Sequence, residues 1–256
     1  MGILSLPVRY YRYYPADAPQ GFTHKTVELD TQETTLLLID VYHAAEKPEA
    51  KELVGTAWDK IWWRVVNDNL APLIRAARAI PIPIVYATNS SPRIAIGDSA
   101  FGFRLRESMA FDPQVDFREK NVDPREYDYG EPVQLVIPEP IAPMPGDYYV
   151  RKHTYSGFFE TRLDSVLRNL RTRNLVCAGF VADCCLFYTM GDAVFHGYHA
   201  LLMRDCTLAA ELPDEVETLT QTKRTILRIE SLLGPSATAP DFVQAAADCA
   251  VGGKPN

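Results

Sequence analysis

Hydrophobic and polar positions along the chain change period several times, and each change marks an element. "TTLLLID" (34–40) is a continuous apolar run closed by an acid, the pattern of a fully buried parallel strand with a polar carboxyl end. "DKIWWRVVNDNLAPLIRAARA" (59–79) has apolar residues at helical spacing, with Pro72 inside it predicting a kink or break. "PIPIVYATN" (81–89) reads as the next strand, and "DYYVRK" (147–152) as another. Leu163, Val166, Leu167 and Leu170 make one face of a helix over 161–172. There follow a strand at "NLVCAGF" (174–180), a helix from Cys185 to about His196, a strand at "HALLMRDC" (199–206) and a helix over 214–233.

Strands alternating with helices predict an α/β fold, a three-layer α-β-α sandwich around a mostly parallel, Rossmann-like central sheet. The main domain is expected over 30–235, with 1–29 as an N-terminal arm and 236–256 as a C-terminal tail. The arm carries "RYYRYYP", which is expected to pack on the body or on a neighbouring subunit. The closing "VGGKPN" is expected to be disordered. Between the second and third strands lies a stretch, 90–145, rich in Pro, Asp, Glu and aromatics and poor in periodicity. Loops of that length in compact domains are usually lids or binding elements.

Composition narrows the partners. The 256 residues carry 26 Lys and Arg against 33 Asp and Glu, a net charge of −7, which argues against nucleic acid or an anionic membrane as partner. Neither a leader-like N-terminus nor an apolar run of about 18 residues is visible, so a cytoplasmic location is expected. The five cysteines (177, 184, 185, 206 and 249) are odd in number and dispersed, a pattern of free thiols rather than disulfides, and no spacing among them suggests structural zinc.

In an open parallel sheet, ligands bind outside the carboxyl ends of the strands. Asp40, Lys152 and the adjacent pair Cys184 and Cys185 all fall at such ends. Singly, each has a plain explanation: a turn cap, a surface lysine, two small core side chains. Together they place an acid, a cation and a thiol on one rim. A thiol is only a few per cent ionised at neutral pH, so a nucleophilic cysteine needs a base, a cation or a helix N-terminus beside it. Lys152 supplies the cation, Asp40 a carboxylate able to move the proton, and the turn "GFVADCC" a helix start. His153 is an alternative base, although strand alternation points it away from Lys152.

An apolar strand ending in Asp, a Lys before "YSGFFETRLDSVL", then Gly-apolar-x-x-Asp-x-Cys and a helix resembles the isochorismatase-like cysteine hydrolase superfamily over roughly residues 30 to 210. The extended "YSGFF" segment is most similar to its ureidoacrylate and N-carbamoyl amidohydrolase branch. The resemblance implies that Cys185, two residues after Asp183, is the nucleophile, with Asp40 and Lys152 as its catalytic partners. It implies an oxyanion hole from the backbone N–H groups of Ala182 and Cys185, with a cis peptide preceding Ala182. Isochorismate-type ether hydrolysis is disfavoured, because that branch lacks the cysteine. Nicotinamidases hold a metal through Asp-x-His after the second strand, where this chain reads "ATNSSPRIA", so no metal and no cofactor are expected.

The family's "DMQNDF" is here "DVYHAA", which puts Tyr42 and His43 in the pocket wall. Tyr42, Asn89 and Tyr155 are candidate substrate-binding residues, Tyr155 being as readily a core aromatic. Arg93, Arg104 and Arg106 are candidate anchors for a substrate carboxylate, or else ordinary surface ion-pair partners. The function implied is hydrolysis of a C–N bond in a small amide, ureido or N-carbamoyl substrate through a covalent acyl-enzyme. A nicotinamidase-like amide hydrolase and a non-catalytic binding protein on the same fold are the alternatives. The expected partner is a small molecule, and the chain is expected to form a homo-oligomer.

Overall fold

The computed structural model describes residues 2–12, 21–43, 55–89, 100–109 and 136–252. In chain order the strands and helices are β1 (Ile3–Arg12), β2 (Gly21–Asp30), β3 (Thr34–Ile39), α1 (Ala57–Arg64), α2 (Ala71–Ala79), β4 (Ile84–Asn89), α3 (Ala100–Met109), β5 (Tyr148–Lys152), α4 (Leu163–Asn169), β6 (Asn174–Gly179), α5 (Phe187–Phe195), β7 (His199–Met203), α6 (Thr220–Leu232), β8 (Ser236–Ala237) and α7 (Ala239–Gly252). The eight strands form one sheet in the order β2-β1-β8-β7-β6-β3-β4-β5. Strands β3 to β8 pair in parallel, while β1 runs antiparallel to both β2 and β8.

Strand alternation divides the core into two layers. Leu36 and Leu38 of β3 join Tyr86, Trp62, Leu70, Ile74 and Phe242 on the α1, α2 and α7 side. Leu37 and Ile39 join Val85, Leu167, Leu186, Met190 and Ile229 on the α4, α5 and α6 side. Burial on both faces is why β3 reads as an unbroken apolar run. The expected three-layer architecture is the one observed.

The helix foreseen over 59–79 starts at an N-cap, Thr56, whose hydroxyl accepts from the Asp59 N–H. Its interior is a wide π turn, Val65–Leu70, ahead of Pro72 at the start of α2. Proline has no N–H and its ring crowds the carbonyl four residues back, and the widened turn accommodates it, so the helical run continues without a break.

Both chain ends differ from expectation. The segment read as an arm is a β1–β2 hairpin that extends the sheet, with Leu4, Leu6 and Val8 buried in the core. Of its described aromatic-basic residues, Arg9 pairs with Glu230 of α6 at 2.8 Å, which packs this segment on the body as expected, and also lies 4.5 Å over the Phe22 ring, which Tyr11 meets edge-on at 5.3 Å. The segment read as a tail contributes β8 and α7, whose Phe242, Ala245 and Ala246 are buried. A two-residue strand carries no detectable period, and alanine-rich helix faces give a weak apolar signal, so neither stood out in the sequence. Most of 90–145 and the last four residues lie outside the described residues, Arg93 included. Within that stretch α3 is a helix, and His43 pairs with Val136 in an isolated antiparallel bridge. Among the described residues, no helix is long and apolar enough to cross a membrane.

Candidate active site

The chain runs from β3 to β4 to β5 on one side, then returns to lay β6 on the other side of β3. That reversal opens a crevice at the carboxyl ends of β3 and β6, where parallel sheets bind ligands. Asp40 follows β3 directly, Asn89 and Lys152 are the last residues of β4 and β5 and are paired in register, and the cysteine turn follows β6.

Asp40 adopts a left-handed backbone, φ 48°, which breaks the alternation that would send its side chain to the Leu38 side. Gly179 closes β6 at φ 120°, and a Cβ there would lie 1.9 Å from the Ile39 carbonyl oxygen. Glycine is therefore required for the two strand ends to meet. The Phe180 N–H then donates to that same carbonyl at 2.8 Å, locking the cysteine turn to the residue before Asp40.

At the centre is Lys152, a lysine with no exposed surface. Its ammonium lies 2.7 Å from Asp40 Oδ2 and 3.3 Å from Cys185 Sγ. It also donates to the Thr154 carbonyl at 3.1 Å and to Asn89 Oδ1. Burial by itself lowers a lysine pKa, but the Asp40 carboxylate and the Cys185 sulfur outweigh it and push Lys152 upward, so the cation is retained. Asp40 Oδ1 is held by the Asn89 backbone N–H at 2.9 Å. The three residues expected to act together are thus joined through one ammonium.

Cys185 is 8 % exposed and sits in the wide turn Ala182–Leu186 that leads into α5. Its pKa is pushed well above the ordinary thiol value, first by the contact with Cys184 and then by burial, with Asp40 adding to these and Lys152 opposing them. The sequence had suggested the reverse, a thiol lowered by its cation. The upward direction favours the thiol form of Cys185. The half-buried Cys184 has its sulfur 4.0 Å from that of Cys185.

The oxyanion-hole expectation needs a correction at one position. The Ala182 N–H donates to the Leu208 carbonyl at 2.8 Å and is unavailable to a ligand. The Val181 N–H, one residue earlier and following the cis Phe180–Val181 bond, has no hydrogen-bond partner among the described residues. Asn89 also changes role. Its side chain is engaged at both ends, Oδ1 by Lys152 and Nδ2 by the Tyr42 hydroxyl at 2.7 Å, so it links two site residues rather than facing the pocket as a free amide.

Burial, then the nearby Cys184 and Cys185, raises the Tyr155 pKa, and its ring stacks on Tyr188 at 5.6 Å. This places the phenol on the thiol side of the site. His153 is not brought to the thiol. It lines a separate cavity of about 450 Å³ with Arg151, Glu160 and Arg162, to which Asp40, Lys152 and Cys185 do not contribute. Arg104 is three-quarters exposed and lies 3.9 Å from Glu107, the geometry of a helix-surface ion pair. Thr189 escaped the sequence reading, whereas Thr161 lies in the segment that carried the resemblance. Thr189 donates to the Cys185 carbonyl at 2.6 Å and accepts from the Gly157 N–H at 2.9 Å, tying "YSGFF" to the cysteine turn. Thr161 donates to the Gly157 carbonyl and accepts from the Leu163 N–H that opens α4. One threonine bridging two segments 32 residues apart leaves no local signature.

Residues 34–230 match the family model described as the isochorismatase domain. Among solved structures, a cysteine hydrolase from Pseudomonas syringae pv. phaseolicola 1448A is 21 % identical, with a TM-score of 0.64, covering 86 % of this chain and 95 % of that one. An isochorismatase family protein from Burkholderia thailandensis is 20 % identical at a TM-score of 0.59, with coverages of 84 % and 96 %. The N-carbamoylsarcosine amidase from Thermoplasma acidophilum is 21 % identical at a TM-score of 0.53, with coverages of 81 % and 96 %. All three share the fold.

Proposed function

Because the chain belongs to the isochorismatase family, we propose that it is a cysteine-dependent amidohydrolase that cleaves the C–N bond of a small amide, ureido or N-carbamoyl substrate. The observation that carries the reading is the fully buried Lys152 ammonium in contact with both Asp40 and Cys185. A buried ion pair is a poor stabilising device, since apolar residues of similar volume usually serve as well or better. An acid, a cation and a thiol gathered around one atom are suited to chemistry, which also disfavours the reading as a non-catalytic binder.

In the proposed reaction the thiol proton passes to Asp40 across the Lys152 ammonium, which gives one proton to Oδ2 as it takes the proton from sulfur. The Cys185 thiolate attacks the carbonyl carbon, and the π electrons move to oxygen. The Val181 and Cys185 N–H groups hold that oxyanion, and removing one such donor typically costs 10²–10³ in rate. Collapse expels the amine, which takes its proton from Asp40. Water, deprotonated by the same carboxylate, then hydrolyses the thioester or carbamoyl-thioester and restores the thiol.

The likeness in fold to an N-carbamoylsarcosine amidase supports putting N-carbamoyl and ureido compounds first in the substrate panel. Acidic compounds compared with their esters or neutral amides test for a carboxylate anchor. A tenfold preference for the acid, about 1.4 kcal/mol, is expected if an arginine pairs with it, and equal kcat/KM across each pair means there is no anchor. Dialysis against a chelator is expected to leave turnover unchanged, because Lys152 already supplies the positive charge beside sulfur. Loss of activity that zinc or manganese restores would count against this mechanism.

A further inference from the structure

The hydrogen bonds around Asn89 run in one direction only. A lysine ammonium has donors and no acceptor, so the Asn89 atom facing Lys152 must be its carbonyl oxygen. The amide nitrogen then faces the Tyr42 hydroxyl at 2.7 Å and donates to it. The phenol oxygen is thereby an acceptor in this chain, and its own hydrogen is left over. Among the described residues that hydrogen has no acceptor, although Tyr42 stands two residues after Asp40, at the carboxyl end of β3 where the crevice opens. Burial first, then the Asp40 carboxylate and the nearby Cys185 and Cys184 sulfurs, raise the pKa of this phenol against the opposing Asn89 hydrogen bond and keep its proton on oxygen.

From this chain of bonds, and resting on the hydrolase reading above, we propose that Tyr42 is a substrate-contacting hydrogen-bond donor that selects compounds carrying an acceptor oxygen on the leaving-group side of the scissile bond. The side follows from position. The oxyanion donors Val181 and Cys185 come from the β6 turn, whereas Tyr42 extends from the β3 end together with Asp40, the residue that protonates the departing amine. A phenol placed there meets whatever is attached to the leaving nitrogen. An acceptor oxygen two or three bonds beyond that nitrogen, as in a carboxylate, acyl or second ureido carbonyl group, satisfies the orphan proton. A simple primary amide, whose leaving group is ammonia, offers nothing to it. Sites built to bond a particular polar group reject analogues lacking it, because a buried donor is then left unpaired.

The test compares wild type with Tyr42→Phe on two classes of substrate. Because Tyr42→Phe also removes the acceptor of the Asn89 amide, a loss shared by both classes is expected, but N-carbamoyl or ureido compounds bearing such an oxygen should lose at least tenfold more in kcat/KM than primary amides without one. An equal loss on both classes, or no loss on either, overturns the proposal. A second measurement does not depend on turnover. Alkylation of Cys185 by a small neutral electrophile is followed with an amine that carries a carboxylate or acyl oxygen two or three bonds from nitrogen, a mimic of the leaving group, as competitor, and again with the corresponding simple amine. Tyr42→Phe should reduce at least fivefold the extra protection that the oxygen gives, and unchanged protection overturns the donor role. If wild type hydrolyses no compound of either class while the protection still shifts, the hydrolase reading fails and the donor assignment stands.

Discussion

Cys185→Ser is expected to lower kcat by at least about 10⁴-fold, the usual scale for removing a covalent nucleophile, while Cys184→Ser keeps the greater part of the activity. Serine replaces sulfur with nearly the same shape, so the loss comes from chemistry and not from packing. A serine hydroxyl beside Lys152 and Asp40 is far less acidic than a thiol and forms no comparable nucleophile. Cys184 differs although it is the next residue. It is only half-buried, and its contact with the catalytic group is a sulfur–sulfur approach of 4.0 Å. Purified single variants, with circular dichroism to verify folding and a substrate panel to measure turnover, settle the assignment. An active Cys185→Ser with a dead Cys184→Ser would shift the nucleophile by one residue and undo the mechanism.

The same pair makes a pH prediction with a defined sign. Contact with Cys184 is the leading cause of the raised Cys185 pKa, ahead of burial. Alkylation of Cys185 by a neutral electrophile should therefore rise with pH through a midpoint above the ordinary thiol value of about 8.5. In Cys184→Ala that midpoint should move to lower pH, because the leading cause of the shift is gone. A midpoint unchanged by the substitution would mean that burial and Asp40 alone set the thiol.

Lys152→Met is expected to be nearly as damaging to turnover, at least about 10³-fold, and also to destabilise the fold. Breaking a buried pair by removing one partner leaves an uncompensated charge and typically costs 3–5 kcal/mol. Here the stranded group is Asp40, 4 % exposed and, among the described residues, then held by the Asn89 N–H alone. For a domain of this size the cost corresponds to a fall in Tm on the order of 10 °C. Asp40→Asn combined with Lys152→Met removes both charges and should recover most of the Tm while remaining inactive. Thermal melts of the single and double variants therefore separate the structural role of the pair from its chemical role. A single variant that melts like wild type would mean that the ammonium is not holding Asp40.

The layered architecture could be read from the chain because periodicity is a local property. A run such as 34–40 is apolar throughout only if both faces are covered, and the spacing of Leu163, Val166, Leu167 and Leu170 fixes one buried helical stripe. The placement of Asp40, Lys152 and Cys185 at strand ends followed from the same periodicity, and the family resemblance then chose between the two cysteines. The hairpin β1–β2 and helix α7 could not be assigned that way. Their burial depends on a distant sheet edge and on α2, and nothing near them in sequence reports it. Tertiary structure also decided the direction of the site's hydrogen bonds. Whether the Ala182 N–H is free depends on Leu208, 26 residues away, and whether Asn89 faces substrate depends on Lys152, 63 residues away. The sequence determined by itself which chemical groups stand on one rim, because strand ends are set by local pattern. Only the folded chain determined which donors and acceptors remain unspent there, because hydrogen-bond capacity is consumed pair by pair between segments whose separation leaves no trace in local sequence.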